Sequence, residues 1–328
     1  MYNKRFVFDI DDTISFTTNR DWENAKPNLP IIEKINKLYN EGWEIFLLTA
    51  RGSISAPENA DKKYRSIIEK WMKSHNVQYH KLIFGKPLAV YYVDDKALTP
   101  DNFLSLEIEE LKGMSGATIF RAGDQVHKTA DNTEDVIKWF DLSKSSSLCT
   151  PKIHKVVGNT ISMEYIDENC KIDYEILLNQ LEENSRYYHH KIPDFNTYIE
   201  RVKSHNQDKK YLKLLEKYSD FYNRNKSFCH GDASIDNILC RDKTLYFIDP
   251  IYLSEVYSSW LLDVSKTLCS LKRFDKKDLY SNILERYSNI KVELQVLEMS
   301  HWIRMFKYHP DPNKVKFEIE CLYESFKN

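Results

Sequence analysis

Two carboxylates near the start of the chain have the type and spacing that phosphate chemistry requires. Asp9 and Asp11 stand two residues apart at the end of the apolar run Arg-Phe-Val-Phe at 5–8. Side chains at i and i+2 of a strand point to the same side, so both carboxylates can face one phosphorus atom. Asp9 is then the nucleophile, and Asp11 gives a proton to the leaving oxygen and later takes one back.

Later positions supply the other parts that such a reaction needs. Thr49 ends the next apolar run and can bind a phosphoryl oxygen, while Lys86 supplies positive charge. Asp94 and Asp95 follow a third apolar run at 89–93. Mg²⁺ prefers oxygen ligands, so these two carboxylates are predicted to hold it. The sequence therefore predicts Mg²⁺-dependent removal of a phosphoryl group through an aspartyl-phosphate.

Residues 1–105 resemble the haloacid-dehalogenase superfamily of phosphatases. The four motifs of that superfamily occur in order as Asp-Ile-Asp-Asp-Thr at 9–13, Leu-Thr at 48–49, Lys86, and Val-Asp-Asp at 93–95. The surrounding sequence resembles the subgroup found in capsular polysaccharide gene clusters. The resemblance implies that Asp9 and the backbone carbonyl of Asp11 also bind the metal. The segments between the first three motifs are too short for a cap domain, so the site is predicted to be capless.

A second acidic group lies about 220 residues further on. His230-Gly231-Asp232 is followed by Asn237 five residues after Asp232, and by Asp249 twelve residues after Asn237. Kinase chemistry needs a base for the acceptor hydroxyl and ligands for Mg²⁺. Asp232 is predicted to be the base, and Asn237 and Asp249 the metal ligands.

The chain upstream offers residues that could hold a nucleotide. A glycine-containing loop at 113–120 resembles a phosphate loop, Lys128 follows on the next strand, and Glu134 or Asp135 could pair with that lysine. The run Met-Glu-Tyr-Ile at 163–166 resembles a hinge whose backbone binds adenine. The predicted binding residues for ATP, or for another nucleoside triphosphate, are Gly113, Ser115, Gly116, Lys128, Glu134, Glu164 and Ile166.

Residues 106–328 resemble the aminoglycoside phosphotransferase and choline kinase superfamily, which shares the protein-kinase fold. The resemblance implies a small lobe at 106–166 and a helical lobe at 167–328. The chain departs from that superfamily in two places: Ala-Ser-Ile-Asp occupies 233–236 of the catalytic loop, and Pro250 follows Asp249. These departures affect the identity of the acceptor more than the binding of ATP.

The elements that must position these residues change along the chain. Apolar runs at 5–10, 43–49 and 89–93 alternate with helical patterns at 30–41 and 61–75, which predicts a parallel, Rossmann-like α/β sheet with ligands at the carboxyl ends of its strands. A hairpin at 106–130, a helix at 132–142, a strand pair at 152–157 and 160–166, and long helices are predicted to follow. The fold class expected is a capless α/β domain followed by a two-lobed α+β domain.

Composition limits the partners. The chain has 328 residues and a net charge of −2, so no global basic field favours nucleic acid. No window approaches 18 apolar residues, which predicts no membrane span. Six cysteines without a CxxC pair predict neither a zinc site nor a disulfide framework, and they favour a cytoplasmic location. The predicted partners are a phosphorylated small molecule and a hydroxyl acceptor, and the oligomeric state stays open.

Together the two groups predict a bifunctional enzyme. One site removes a phosphate, and the other transfers one from ATP to a sugar, polyol or amino alcohol, with surface-polysaccharide synthesis as the pathway that the resemblance implies. Two alternatives stay open. One is an enzyme with a single activity whose other domain binds a ligand or covers the site. The other is a nucleotide-sensing scaffold without turnover.

Overall fold

The computed structural model describes residues 4–19, 21–89, 91–92, 94, 96–111, 117–130, 133–187, 192–206, 208–251, 253 and 255–326. The contacts within the chain divide it into two compact units. The first comprises Met1–Thr129 with Val157–Thr160, and the second comprises Ala130–Val156 with Ile161–Asn328. The domain boundary predicted after residue 105 stays a prediction.

The first unit begins with strands and helices in alternation. Its elements are β1 (Arg5–Asp9), β2 (Ser15–Phe16), β3 (Lys26–Pro27), α1 (Leu29–Asn40), β4 (Glu44–Thr49), α2 (Ala60–Ser74), β5 (Lys81–Phe84) and α3 (Pro100–Ser105). β1, β4 and β5 form a parallel sheet in that order, with Asp9 opposite Leu48 and Thr49 opposite Phe84. This register brings the ends of three strands, and hence Asp9, Thr49 and the chain leading to Lys86, to one edge of the sheet.

Apolar periodicity explains the helices that cover this sheet. α1 has Pro30 in its first turn, where a missing N–H costs nothing, and it buries Ile31, Ile35 and Leu38 at helical spacing. These side chains join Ile45 and Leu47 of β4 in the core. The predicted helices at 30–41 and 61–75 are thus present as α1 and α2, within one residue of the predicted ends.

The strand predicted at 89–93 is wrong for the residues described there. Ala89, Tyr91 and Tyr92 are irregular, and the two tyrosines are exposed. The third parallel strand is instead β5, whose Leu82 is buried. The run at 89–93 has strong β-propensity, but that propensity reflects packing on a half-buried surface, and Ala89, Tyr91 and Tyr92 are exposed.

The first unit ends in a meander of β6 (Ile108–Leu111), β7 (Thr118–Ala122) and β8 (Gln125–Thr129). β6 pairs with β7, and β7 pairs with β8, both antiparallel. Gly123, with a φ of +63°, lies in the turn between β7 and β8, where a residue without Cβ is unstrained. The hairpin predicted within 106–130 is therefore present.

The second unit begins with α4 (Thr133–Ser143), followed by the neighbouring strands β9 (Ile153–Val157) and β10 (Thr160–Glu164). The helices α5 (Tyr174–Glu183), α6 (Phe195–Lys203), α7 (Lys209–Lys217) and α8 (Ser219–Arg224) come next. The strands β11 (Ile238–Arg241) and β12 (Thr244–Phe247) then form a hairpin. The chain ends with α9 (Trp260–Arg273), α10 (Lys277–Arg286), α11 (Lys291–Met305) and α12 (Pro312–Ser325).

Two local features fix the β11–β12 hairpin. Asp242 and Lys243 in its turn have φ values of +51° and +65°, the two left-handed positions of a type I′ turn. Cys240 on β11 forms a disulfide with Cys170, whose Cα lies 5.2 Å away. The expectation of no disulfide is therefore wrong. These cysteines are 70 residues apart in sequence, and backbone hydrogen bonds from Asn169 and Cys170 to the Cys240 carbonyl bring them together.

The core of the second unit lies between α9 and α11. Leu261, Val264 and Leu268 on α9 are fully buried, as are Leu297 and Trp302 on α11. No helix in the described part of the chain is both long enough and apolar enough to cross a membrane.

Candidate active sites

In the first unit, the structure brings Asp9 and Lys86 into direct contact. The Lys86 Nζ donates to Asp9 Oδ2 at 2.6 Å, and the backbone N–H of Ile10 donates to Asp9 Oδ1 at 2.9 Å. The side chain of Asp9 is 33% exposed, whereas that of Lys86 is 15% exposed. Asp9 is thus oriented by two donors and still accessible from solvent, as a nucleophile must be.

Asp11 has a partner that the sequence did not indicate. The guanidinium of Arg51 donates from Nε to Oδ2 at 2.9 Å and from Nη2 to Oδ1 at 2.7 Å. Arg51 is almost fully buried, and its guanidinium lies 5.1 Å from the ring centroid of Trp22. Both oxygens of Asp11 thus accept from Arg51, and Oδ2, which accepts only from Nε among the described residues, keeps a lone pair that can carry a proton.

Thr49 is buried at the end of β4, beside these residues in the sheet. Its Oγ1 accepts from the N–H of Arg51 at 3.0 Å, and its carbonyl accepts from the N–H of Lys86 at 3.2 Å. Thr49 therefore positions the backbone of the lysine and of the arginine at once. Its hydroxyl hydrogen is directed to no acceptor among the described residues, so it can still donate to a phosphoryl oxygen.

Asp94 is not brought into this group by any hydrogen bond or ion pair among the described residues. It lies in an exposed, irregular segment, where its Oδ1 accepts from the N–H of Lys96 at 2.8 Å. Asp95 lies outside the described residues. The predicted metal ligation by Asp94 and Asp95 stays a prediction, as do the metal contacts predicted for Asp9 and Asp11.

In the second unit, a buried carboxylate holds the loop that begins at His230. Asp263, in the first turn of α9, accepts from the N–H of His230 at 2.7 Å and from the N–H of Gly231 at 2.8 Å. Burial raises the pKa of Asp263 to about 7, although the two N–H donors act in the opposite direction. This aspartate therefore fixes the backbone of the loop.

Two further backbone bonds bring Asp249 to the same loop. The N–H of Ile248 donates to the Asn237 carbonyl at 3.0 Å, and the N–H of Ile251 donates to the His230 carbonyl at 3.1 Å. A Cβ on Gly231 would lie 2.1 Å from the Ile251 carbonyl oxygen, so only glycine permits this close approach. Asp249 itself has a φ of +57°, a left-handed conformation that aspartate tolerates better than most residues.

Asp232 is held by two side chains on opposite oxygens. The Lys266 Nζ, from α9, lies 2.8 Å from Oδ1, and the Asn237 Nδ2 donates to Oδ2 at 3.0 Å. Burial alone would raise the pKa of Asp232, but the charge and hydrogen bond of Lys266 outweigh it, so the pKa lies below its usual value. Asp232 is therefore ionised near neutral pH and can accept a proton from a hydroxyl.

Asn237 has its amide oriented by the same contacts. Its Nδ2 also donates to the Asp232 carbonyl at 3.0 Å, so the amide nitrogen faces Asp232. The Oδ1 accepts no hydrogen bond from the described residues and can serve as an oxygen ligand. Asn237 Oδ1 and the carboxylate of Asp249 are a ligand pair of the kind that Mg²⁺ takes, so these residues fit the ion. Within the described ranges, no group of three or more His, Cys, Asp and Glu side chains could hold a metal ion.

His230 is a packing residue in this loop. Its ring is fully buried, 5.2 Å from the centroid of Trp139 and 5.7 Å from that of Phe247. Burial lowers the pKa of His230 to about 4, so the imidazole is neutral at physiological pH. Neither ring nitrogen has a hydrogen-bond partner among the described residues.

The residues predicted to hold the nucleotide are dispersed over both units. Gly113, Ser115 and Gly116 lie outside the described residues. Lys128 lies on β8 opposite Ile119, and Glu134 is exposed on α4. Glu164, at the end of β10, pairs with Arg241 at 2.8 Å and accepts from the N–H of Lys152, while Ile166 is buried. The nucleotide-binding roles of these residues stay predictions.

Sequence analysis missed Arg51 and Lys266, which contact Asp11 and Asp232. Arg51 stands two residues after Thr49, so its proximity to the first group was a usable signal. Lys266 stands three residues after Asp263, which places both on one face of a helix, but only the packing of α9 against the loop shows that this face meets Asp232.

No protein-family model matches the chain, and no curated protein matches it. Among solved structures, it is similar to an MCSG target from Vibrio cholerae at 31% identity, over 32% of this chain and 89% of that one, with a TM-score of 0.30. It is also similar to a choline/ethanolamine kinase family protein from Mesorhizobium loti, at 13% identity over 67% and 87% of the two chains, with a TM-score of 0.44. A Plasmodium vivax ethanolamine kinase is similar at 11% identity over 98% of each chain, with a TM-score of 0.45. With every one of these TM-scores below 0.5, function has to be inferred from the geometry of the sites.

Proposed function

We propose that the second unit is a kinase that transfers a phosphoryl group from ATP, or another nucleoside triphosphate, to the hydroxyl of a small molecule. The observation that carries this proposal is the arrangement of Asp232, Asn237 and Asp249. An ionised carboxylate bonded to an amide, with a second carboxylate tied to the same loop, is what hydroxyl-directed phosphoryl transfer needs.

Asp232 takes the proton of the acceptor hydroxyl, since its pKa is lowered and Lys266 holds it in place. Asn237 and Asp249 would hold Mg²⁺, and the ion supplies charge neutralisation to the phosphates when it is bound. Asp263 keeps the loop backbone in position, and the neutral His230 packs beneath it. That Lys128 and the glycine-containing loop at 113–116 bind the nucleotide phosphates rests on the sequence resemblance alone, because Lys128 belongs to the first unit.

The test is a thermal titration of the full chain with ATP and Mg²⁺, together with a screen of ADP formation against sugars, polyols and amino alcohols. A ligand that binds only the folded state raises the thermal midpoint, so wild type should shift, Lys128→Ala should shift less, and Asp249→Asn should lose most of the Mg²⁺ dependence. A wild-type chain with no ATP-dependent shift would contradict the kinase proposal and favour a domain that no longer binds nucleotide.

A second activity is supported by the contact between Asp9 and Lys86. A solvent-accessible carboxylate with an ammonium group at 2.6 Å can attack phosphorus while the lysine balances the charge of the incoming phosphate. The bond from phosphorus to the leaving oxygen breaks as the Asp9 Oδ–phosphorus bond forms, and the leaving oxygen takes its proton from Asp11, which must enter this step protonated. In the second step water attacks phosphorus and gives its proton to Asp11, while the Asp9 Oδ–phosphorus bond breaks to release phosphate and regenerate both residues.

The first unit is thus proposed to be a Mg²⁺-dependent phosphatase of the capless haloacid-dehalogenase type, and the whole chain a bifunctional enzyme. Surface-polysaccharide synthesis is the pathway that the resemblance suggests. Phosphate release from a panel of phosphorylated metabolites tests this part. No release with Mg²⁺ supplied would leave the chain with the kinase activity alone, and release that is independent of Asp9 would contradict the aspartyl-phosphate mechanism.

A further inference from the structure

Three cations meet near the proposed base of the kinase site. Lys266 on α9 contacts Asp232, and its Nζ also lies 3.6 Å from the sulfur of Met305 on α11. Arg304, the neighbour of Met305, has its guanidinium 5.8 Å from the ring centroid of Tyr198 on α6. Lys266 therefore links the C-terminal end of α11 to Asp232.

Arg201 lies on the same face of α6 as Tyr198, three residues further along the helix. Tyr198 fixes this helix against α11, because its hydroxyl lies 2.8 Å from the Oγ of Ser300, one helical turn before Arg304. Arg201 and Arg304 are consequently neighbours of one anchored tyrosine, and both are close enough to Asp232 to interact with its charge.

These two half-buried arginines have no directly bonded anion among the described residues, although a partly desolvated guanidinium is stabilised by one. Among the described residues, no ion pair or hydrogen bond engages either guanidinium, and the Nε of Arg304 is buried without an acceptor. Burial lowers the pKa of Arg201 to about 10, and the positive charge of Arg304 acts in the same direction.

The histidine between α9 and α11 adds no charge to this cluster. His301 is buried between Ser265 and the Leu262 carbonyl, and burial together with Lys266 keeps its pKa well below the usual value, so it is neutral. Lys266, Arg201 and Arg304 against the carboxylate of Asp232 give these four groups a formal charge of +2, and Asp263, whose pKa is raised to about 7 by burial, offsets this only in part near neutral pH.

From this cluster we infer that the acceptor of the kinase reaction is itself an anion, a hydroxyl compound that carries a phosphate or a carboxylate bound by Arg201 and Arg304. The inference rests on the proposed kinase function of the second unit. An anionic group on the two guanidinium groups would place a hydroxyl of the same molecule toward Asp232, since Lys266 links the cluster to that carboxylate. A cationic amino alcohol would meet like charge there.

Binding is tested first, in a full chain that carries Lys86→Ala so that the first unit loses its phosphate-facing cation. Inorganic phosphate is the probe, and isothermal titration gives its affinity. Arg201→Gln and Arg304→Gln should each weaken binding by at least about tenfold, because each removes a charged partner of a desolvated anion. Lys203→Gln is the matched control, since Lys203 is on the same helix but pairs with Glu200 at the surface.

Turnover is tested in a full chain that carries Asp9→Asn, which keeps the first unit from hydrolysing the acceptor. ADP formation is compared for glucose, glucosamine and glucose 6-phosphate. Either phosphate binding that the two arginine variants leave unchanged, or faster turnover of glucosamine than of glucose 6-phosphate, would overturn the inference. Those results would leave the kinase proposal standing, because that proposal fails only if Mg²⁺ and ATP produce no shift of the wild-type thermal midpoint.

Discussion

The two candidate sites handle charge in opposite ways. In the first unit, Asp9 and Asp11 are each paired with a cation and are each one-third exposed. In the second unit, Asp232 is less exposed, and Asp263, which holds its loop, is fully buried. A carboxylate that attacks phosphorus must be reached by its substrate, whereas one that removes a proton must be oriented with little freedom. The difference in burial is therefore what two different chemical roles would produce.

The two candidate sites also differ in how many cationic side chains stand beside their carboxylates. Lys86 and Arg51 together match Asp9 and Asp11, so the first site is close to neutral before a substrate arrives. The second site has cations in excess on its helical side. The first site thus gains positive charge for a phosphate only through an added metal ion, while the second already has it.

The largest expected effect is on the first site. Asp9→Asn should abolish phosphate release, because an amide cannot attack phosphorus, while ADP formation by the second unit continues. The measurement is phosphate release and ADP formation from one preparation. Asp101→Asn, at an exposed position of α3, is the control and should retain both activities. Phosphate release that persists in Asp9→Asn would show that Asp9 is not the nucleophile, and the comparison between the two sites would lose its basis.

Asp232→Ala is expected to reduce phosphoryl transfer by about 10²–10⁴-fold, the usual contribution of a general base. ATP should still raise the thermal midpoint, and phosphate release should be unchanged. Asp236→Asn is a matched control from the same loop, because Asp236 is directed to Arg273 at 2.6 Å. If Asp232→Ala also removed phosphatase activity in a well-folded chain, the model of two independent sites would be wrong.

The sequence predicted those helices and strands whose apolar periodicity and turn residues are local signals. The alternation of β1, α1, β4 and α2, the helix α4 and the strand pair β9–β10 follow from periodicity and turn residues. The strand β5 was missed in favour of 89–93, because intrinsic β-propensity cannot show which apolar run is buried.

Within the sites, sequence motifs identified the acidic residues but did not identify all of the cationic side chains that pair with them. Asp9 and Asp232 stand in motifs with fixed spacing, whereas Arg51 and Lys266 reach them from other elements. The same limit applies to Cys170 and Cys240, whose disulfide depends on a loop returning to β11. Pairing across elements is set by tertiary packing, which has no signal in a single sequence.

A third, smaller effect concerns stability. Asp263→Asn should lower the free energy of unfolding by about 1–3 kcal/mol, because an amide can accept from only one of the two N–H groups that Asp263 now satisfies. Replacement of Asp9 or Asp11 should lower the free energy of unfolding by less, because these carboxylates are partly solvated. Urea denaturation of wild type and variant measures the difference, and an equal stability would show that the loop is held by other contacts.

The same variant tests the raised pKa of Asp263. The folded chain retains this proton up to about pH 7, whereas the unfolded chain loses it near pH ~4, as an ordinary aspartate does. The stabilisation from this group is thus full below about pH 4 and is lost as the pH rises through about 7. The gap between wild type and Asp263→Asn should be larger at pH 5 than at pH 8, and the opposite order would contradict the raised pKa.

The smallest expected effect distinguishes a base held by a cation from one that is merely buried. Lys266 lowers the pKa of Asp232 against the opposing effect of burial, so Lys266→Met should let that pKa rise. Only the ionised carboxylate accepts a proton, and the acid limb of the kcat/KM profile for ADP formation should therefore move to higher pH. Lys276→Met, an exposed position before α10, is the control. The phosphatase profile should be unchanged in both variants, because Asp9 takes its cation from Lys86. A kinase profile with an unmoved acid limb would mean that Lys266 serves the substrate and not the base, and the contrast between the sites would then rest on burial alone.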